Sequence, residues 1–171
     1  MSSERFAALL SWTGVAFVLL LCLGLSILPA RAATITPVGN WVTASQDAVI
    51  QIRPCGDHLC GAIQGMVLSP TDKTPTDWVG QSQCGLVILK TSATAQPEAD
   101  GTRAWYGHIT NPRNGSRYHI RLTLDAQGHL LLRGYVGLPL FGRTQSWHSY
   151  QGKLGTQDCR LNNIPATVQA G

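Results

Sequence analysis

Ten residues in the middle of the chain constrain its fold more than any others. In Ser116–Asp125, read SRYHIRLTLD, Tyr118, Ile120, Leu122 and Leu124 alternate with Arg117, His119, Arg121, Thr123 and Asp125. A period of two places the first set on one face of a strand and the second on the other. One apolar face and one polar face mean one side buried and one wet, which is the pattern of an antiparallel sheet. This strand lies inside a longer stretch, Trp105–Trp147, in which alternating segments are punctuated by turn residues.

Comparable segments flank it. Pro37–Thr43 begins the domain, and Ala48–Arg53, Leu59–Leu68, Gly85–Lys90, Arg103–Thr110, His129–Val136 and Leu140–Tyr150 read as further strands. Asn111–Gly115, Ala126–Gly128 and Gly137–Pro139 supply the turns. Ser69–Gln83 is polar with two prolines and reads as a long loop whose one large apolar residue, Trp78, is expected to fold back on the body. No amphipathic helix of three turns follows residue 33. Short strands joined by turns predict an all-β domain, a small antiparallel meander closed into a barrel, with a β-sandwich as the alternative.

The N-terminus reads differently. After Arg5 an apolar run extends from Phe6 to Leu28, and Ala30-Arg31-Ala32 has the small residues of a signal-peptidase site. Residues 1–32 are expected to be a signal-peptide helix cleaved after Ala32, with an uncleaved membrane anchor as the alternative, since the run is long enough to span a bilayer. Cys22 follows Leu19-Leu20-Leu21 without a small neighbour, which argues against lipid attachment. The expected organisation is a signal peptide, a single barrel-like domain over residues 33–160 and a flexible tail over 161–171, in a periplasmic or secreted protein.

Cys55, Cys60, Cys84 and Cys159 remain after such a cleavage, and in an exported protein an even count favours disulfides. Four cysteines allow three pairings. The PCGDHLCG segment makes Cys55–Cys60 the local choice, closing a hairpin, and leaves Cys84–Cys159 to tie the C-terminal segment to the body. Zinc is poorly served, because neither Cys84 nor Cys159 has a Cys or His at ligand spacing. Setting aside Arg5 and Arg31 from the 13 basic residues and Glu4 from the nine acidic ones leaves a net charge of about +3. These basic residues are scattered, without the clustered footprint of a nucleic-acid binder.

Taken together, the Gly39-Asn40-Trp41 start, the CGDHLCG hairpin, WYGHITNPRNGSRY, LLLRGYVG and LFGRTQSW resemble the bacterial family catalogued as domain of unknown function 2147. The resemblance runs from Gly39 to Trp147 and implies an exported all-β domain without an assigned activity. Tyr135 and Gly142 stand where cysteines are common in that family. Gly39-Asn40-Trp41 is also similar to the G-x-W opening of lipocalins and related calycin barrels. That likeness implies a calycin-like barrel in which Trp41 packs at the closed end beneath an arginine from a late strand, a role that would fall to Arg143.

The residues give no catalytic constellation. His58, His108, His119, His129 and His148 form no H-x-H or H-x3-H pair, so no metal site is expected. No G-x-S-x-G turn is present, and paired cysteines would not serve as nucleophiles. Ser146, His148 and Asp158 have no distinguishing spacing. A binding function has more behind it, since a small barrel either fills its interior or holds one small ligand. The candidate lining is Trp41, Trp105, Tyr118, Phe141, Arg143 and Trp147. Trp105 depends on the hairpin register: one register sets it beside Arg121 on the wet face, the other beside Tyr118 and Ile120 inside. The expected function is a non-catalytic envelope domain that binds a small apolar or amphipathic ligand, with no cofactor and no nucleic acid. The alternatives are an envelope interaction module using Arg117, Arg121 and Arg133 on the wet face and, after that, an enzyme.

Overall fold

The computed structural model describes residues 36–154 and 158–164. The expected signal segment lies outside them. The alternating segments become β1 (Gly39–Val42), β2 (Ala48–Cys55), β3 (His58–Val67), β4 (Val87–Ser92), β5 (Gln96–Pro97), β6 (Arg103–Thr110), β7 (Arg117–Leu124), β8 (Leu130–Tyr135), β9 (Arg143–Ser149) and β10 (Arg160–Leu161). Consecutive long strands pair antiparallel, β3 pairs β4, β4 pairs β6, and β1 pairs β9. The meander therefore closes into an eight-stranded barrel, and the sandwich alternative falls away. Closure leaves the eight strands with no free edge along the circuit.

Differences from the expected boundaries have local causes. Gly85 adopts φ 78° and Leu86 N–H donates to the Gln83 carbonyl, so a turn occupies the first residues of the expected third long strand and β4 starts at Val87. Pro139 opens a single 3-10 turn, Pro139–Phe141, where the last strand was expected to have begun. The short strands β5 and β10 are too brief for periodicity to reveal.

The pleat is consistent around the barrel. Trp41 faces Ile50, Ile50 faces Ile63, Leu89 faces Ile109, Trp105 faces Leu122, Leu122 faces Leu132, Leu130 faces Trp147, and Trp41 meets Ser149 at the seam. All but Ile109 and Ser149 of these inward residues are buried in one core. The register around Trp105 is settled by the connection: Thr110 pairs with Arg117, so six residues intervene and Trp105 lies inside, 4% exposed. Gly107 permits the close approach of β6 to β4, since a Cβ there would stand 2.0 Å from the Lys90 carbonyl oxygen.

Both expected disulfides are present, Cys55–Cys60 across the β2–β3 turn and Cys84–Cys159. Cys159 is buried in the main core. Just beyond it, β10 runs parallel to β3, and Leu161 and Ile164, in the stretch expected to be a loose tail, are buried. With Tyr150 they cover Val42 and Val49, paired residues on the outer face of β1 and β2. The Ser69–Gln83 loop is organised around buried Asp77, whose carboxylate accepts the Val79 and Gln81 amides. Trp78 docks on the β6–β7 turn: its backbone N–H donates to the Pro112 carbonyl at 3.0 Å and its ring lies against Gly115, with 49% of the residue still exposed.

Candidate functional site at the open end of the barrel

The half of the barrel around Trp41, Trp105, Trp147, Leu122 and Leu130 is filled, each of these being no more than 5% exposed. The other end holds a cavity of about 670 Å³. Its walls come from inward positions: Ile109 on β6, Tyr118 on β7, Leu132 and Gly134 on β8, and Arg143 and Gln145 on β9. Ile88 joins them because the β3–β4 register slips between Gly61 and Ala62, where a bulge re-aims a side chain. The rim is built by Thr110 at the end of β6 with Asn111 and Pro112 of the connection that follows, and by Tyr135 at the end of β8 with Val136 and Phe141 of the β8–β9 connection.

Two features keep this end open. Gly134 occupies an inward position between Ile120 and Arg143, and a Cβ there would meet nothing closer than Leu132 Cδ2 at 4.0 Å. The β8–β9 connection is held away from the interior by Arg133, whose guanidinium donates to the carbonyls of Pro139 and Leu140 and to Thr144 Oγ1 at 2.9–3.1 Å. Pinned in this way, Val136, Leu138, Leu140 and Phe141 stand 63–79% exposed. These four exposed apolar side chains follow one another along the connection, and Val136 and Phe141 also line the cavity.

Of the six candidate residues, Tyr118, Phe141 and Arg143 line the cavity, while Trp41, Trp105 and Trp147 belong to the filled core. The calycin role expected for Arg143 is not met. Trp41 pairs with Ser149, six residues along β9 from Arg143, or about 20 Å at the strand rise. The Trp41 indole N–H instead donates to the Pro37 carbonyl at 2.8 Å. Ile109, Leu132 and Gln145 were not among the expected lining residues, although alternation carried across the strands from Ile120 and Leu122 reaches them. Ile88 could not be found that way, because a bulge breaks the parity of its strand.

The wet face of β6–β8 carries its own order. His108 and His119 are cross-strand partners with ring centroids 4.6 Å apart, and His119 stacks on Tyr135 at 5.6 Å. Desolvation first, then the nearby charges of Arg117 and His119, hold the His108 pKa below its ordinary value. One row along, Arg121 pairs with Glu98 at 3.2 Å and the Tyr106 hydroxyl donates to the same carboxylate at 2.6 Å, which raises the Tyr106 pKa. In the β7–β8 turn, burial acts to raise the Asp125 pKa but is outweighed by the backbone and ring N–H of His129, and the net shift is downward. Among the described residues no three His, Cys, Asp or Glu side chains are grouped to hold a metal ion.

The bacterial family described as an uncharacterized protein conserved in bacteria, DUF2147, matches residues 39–149. Those limits are the first residue of β1 and the last of β9. No curated protein and no solved structure matches the chain. A match that takes in every strand of the closed barrel, and well over half of the sequence, makes this protein a member of the DUF2147 family.

Proposed function

We propose that this protein is an exported, non-catalytic binding domain of the bacterial envelope that holds a small, partly apolar ligand in the open end of its barrel. The observation that carries the reading is the cavity of about 670 Å³, walled by Ile88, Ile109, Leu132 and Tyr118 with a few polar groups at Asn111, Arg143 and Gln145. Ligand sites are of this size and composition, concave and mostly apolar with a small number of placed polar groups. The envelope location is supported by the signal-like N-terminus together with two disulfides, which persist in oxidising compartments.

Native mass spectrometry of the protein purified from its own host tests this directly, with a bound small-molecule mass as the expected result. Gly134→Leu projects a side chain into the open space and is expected to remove that mass while leaving thermal stability unchanged or raised. A clean ligand-free mass across independent preparations would sink the reading. A second reading, a docking module for another envelope protein, is favoured by the exposed apolar connection from Val136 to Phe141. It predicts a complex that survives Gly134→Leu and is lost on replacing Leu140 and Phe141 with serine.

A further inference from the structure

We infer that the ligand is a single-chain amphiphile with an anionic head, its charge held by Arg143 and its chain lying against Ile88, Ile109 and Leu132; this rests on the cavity reading above. Arg143 is the one charged side chain among the residues lining the cavity. It is also uncommitted. Arg121 is paired with Glu98, Arg160 with Asp158, and Arg133 with the β8–β9 connection, whereas Arg143 has no side-chain hydrogen bond or ion pair among the described residues. Gln145, the next inward residue on β9, spends its amide oxygen on the Trp147 indole N–H at 2.9 Å. Its amide N–H group has no partner among the described residues, so both polar side chains of this wall offer donors.

Among the described residues, no Asp or Glu lines the cavity. Between Trp105 and Tyr150 the sequence contains a single acidic residue, Asp125, which is engaged by His129 in the β7–β8 turn. Asp77, in the loop that docks on the β6–β7 turn, is committed to two backbone amides. Arg113 and Arg117 flank the same turn and add positive charge near the rim. A cleft with charge of one sign and apolar walls concentrates ligands of the opposite sign and strengthens their contacts. A guanidinium meets a carboxylate or phosphate through two parallel N–H donors, which fixes the head as well as attracting it. At the ~30 Å³ that a water molecule takes up in the liquid, the cavity of about 670 Å³ holds on the order of twenty non-hydrogen atoms, enough for a medium-length chain and its head.

The test is isothermal titration of the full-length protein, below the micelle concentration, with decanoate, decyl phosphate, 1-decanol and decyltrimethylammonium. Decanoate, decyl phosphate or both are expected to bind at least about tenfold more tightly than decanol, and decyltrimethylammonium more weakly than decanol. Arg143→Gln is expected to bring the anionic probes to within about twofold of decanol while the unfolding midpoint stays unchanged, and Arg143→Lys to restore part of the preference. Added salt is expected to weaken the anionic probes selectively. Equal binding of anionic, neutral and cationic probes, or an anion preference untouched by Arg143→Gln, overturns this inference and leaves the cavity reading standing. Failure of all four probes to bind overturns the cavity reading and this inference with it.

Discussion

Removing the Cys84–Cys159 bridge by Cys84→Ala/Cys159→Ala is expected to cost the barrel much more than removing Cys55–Cys60. In the chain-entropy treatment the cost depends on the loop that the bridge closes in the unfolded chain. A separation of 75 residues corresponds to about 4.5 kcal/mol and one of five residues to about 2 kcal/mol. Cys159 adds a packing contribution, because it is 2% exposed within the main core and loss of its sulfur leaves a void worth about 1 kcal/mol. The long bridge also tethers the segment that carries Leu161 and Ile164 over Val42 and Val49. Against a usual stability of ~5–15 kcal/mol, a loss of about 5.5 kcal/mol removes a large part of the margin. Urea unfolding followed by the fluorescence of the buried Trp41, Trp105 and Trp147 reads it out. With a slope of ~1.5 kcal/mol/M the midpoint should fall by about 3.7 M for the long bridge and about 1.3 M for Cys55→Ala/Cys60→Ala. Equal shifts, or a larger shift for the short bridge, would refute the reasoning.

Two further outcomes follow from individual contacts. Gly107→Ala sets a methyl carbon 2.0 Å from the Lys90 carbonyl oxygen and should cost about 3 kcal/mol or more in the same urea assay, whereas Gly128→Ala, where a Cβ meets nothing within 4 Å, should pay only for its φ of 84°. For His108, the depressed native pKa means that the unfolded chain binds more protons just below the ordinary value of 6.5. Its contribution to stability is therefore full above that pH and declines as the pH falls through 6.5 toward the native pKa. The unfolding midpoint between pH 7 and 5 should fall less steeply in His108→Gln than in the parent, and an equal or steeper fall in the variant contradicts the assignment.

Much of the fold was legible because it rests on strict alternation. Tyr118, Ile120, Leu122 and Leu124 fix the inward face of β7 from sequence alone, and the cross-strand register carries that parity to Leu130, Leu132 and Trp147. The cysteines were legible because the Cys55–Cys60 turn is local, and among the four cysteines outside the N-terminal apolar run the remaining pair follows. The cavity was legible only in part. Tyr118, Phe141 and Arg143 sit on it, but large aromatics are as much core as lining, and Trp41, Trp105 and Trp147 went to the core. Residues that create space by lacking a side chain, Gly134 above all, carry no chemical signature to notice.

Alternation, turn residues and cysteine spacing by themselves determined an antiparallel all-β domain, the inward face of its central strand and the two bridges, because each depends on neighbours close along the chain or on simple parity. Tertiary structure alone decided the rest. The six-residue connection sent Trp105 inward, the bulge in the β3–β4 pairing turned Ile88 into the cavity, and the pairing of β1 with β9 placed Arg143 at the opposite end of its strand from the partner of Trp41. These outcomes depend on how many residues a turn inserts and on which strands meet at the seam. Both are fixed by packing around the whole barrel rather than by any one segment of it.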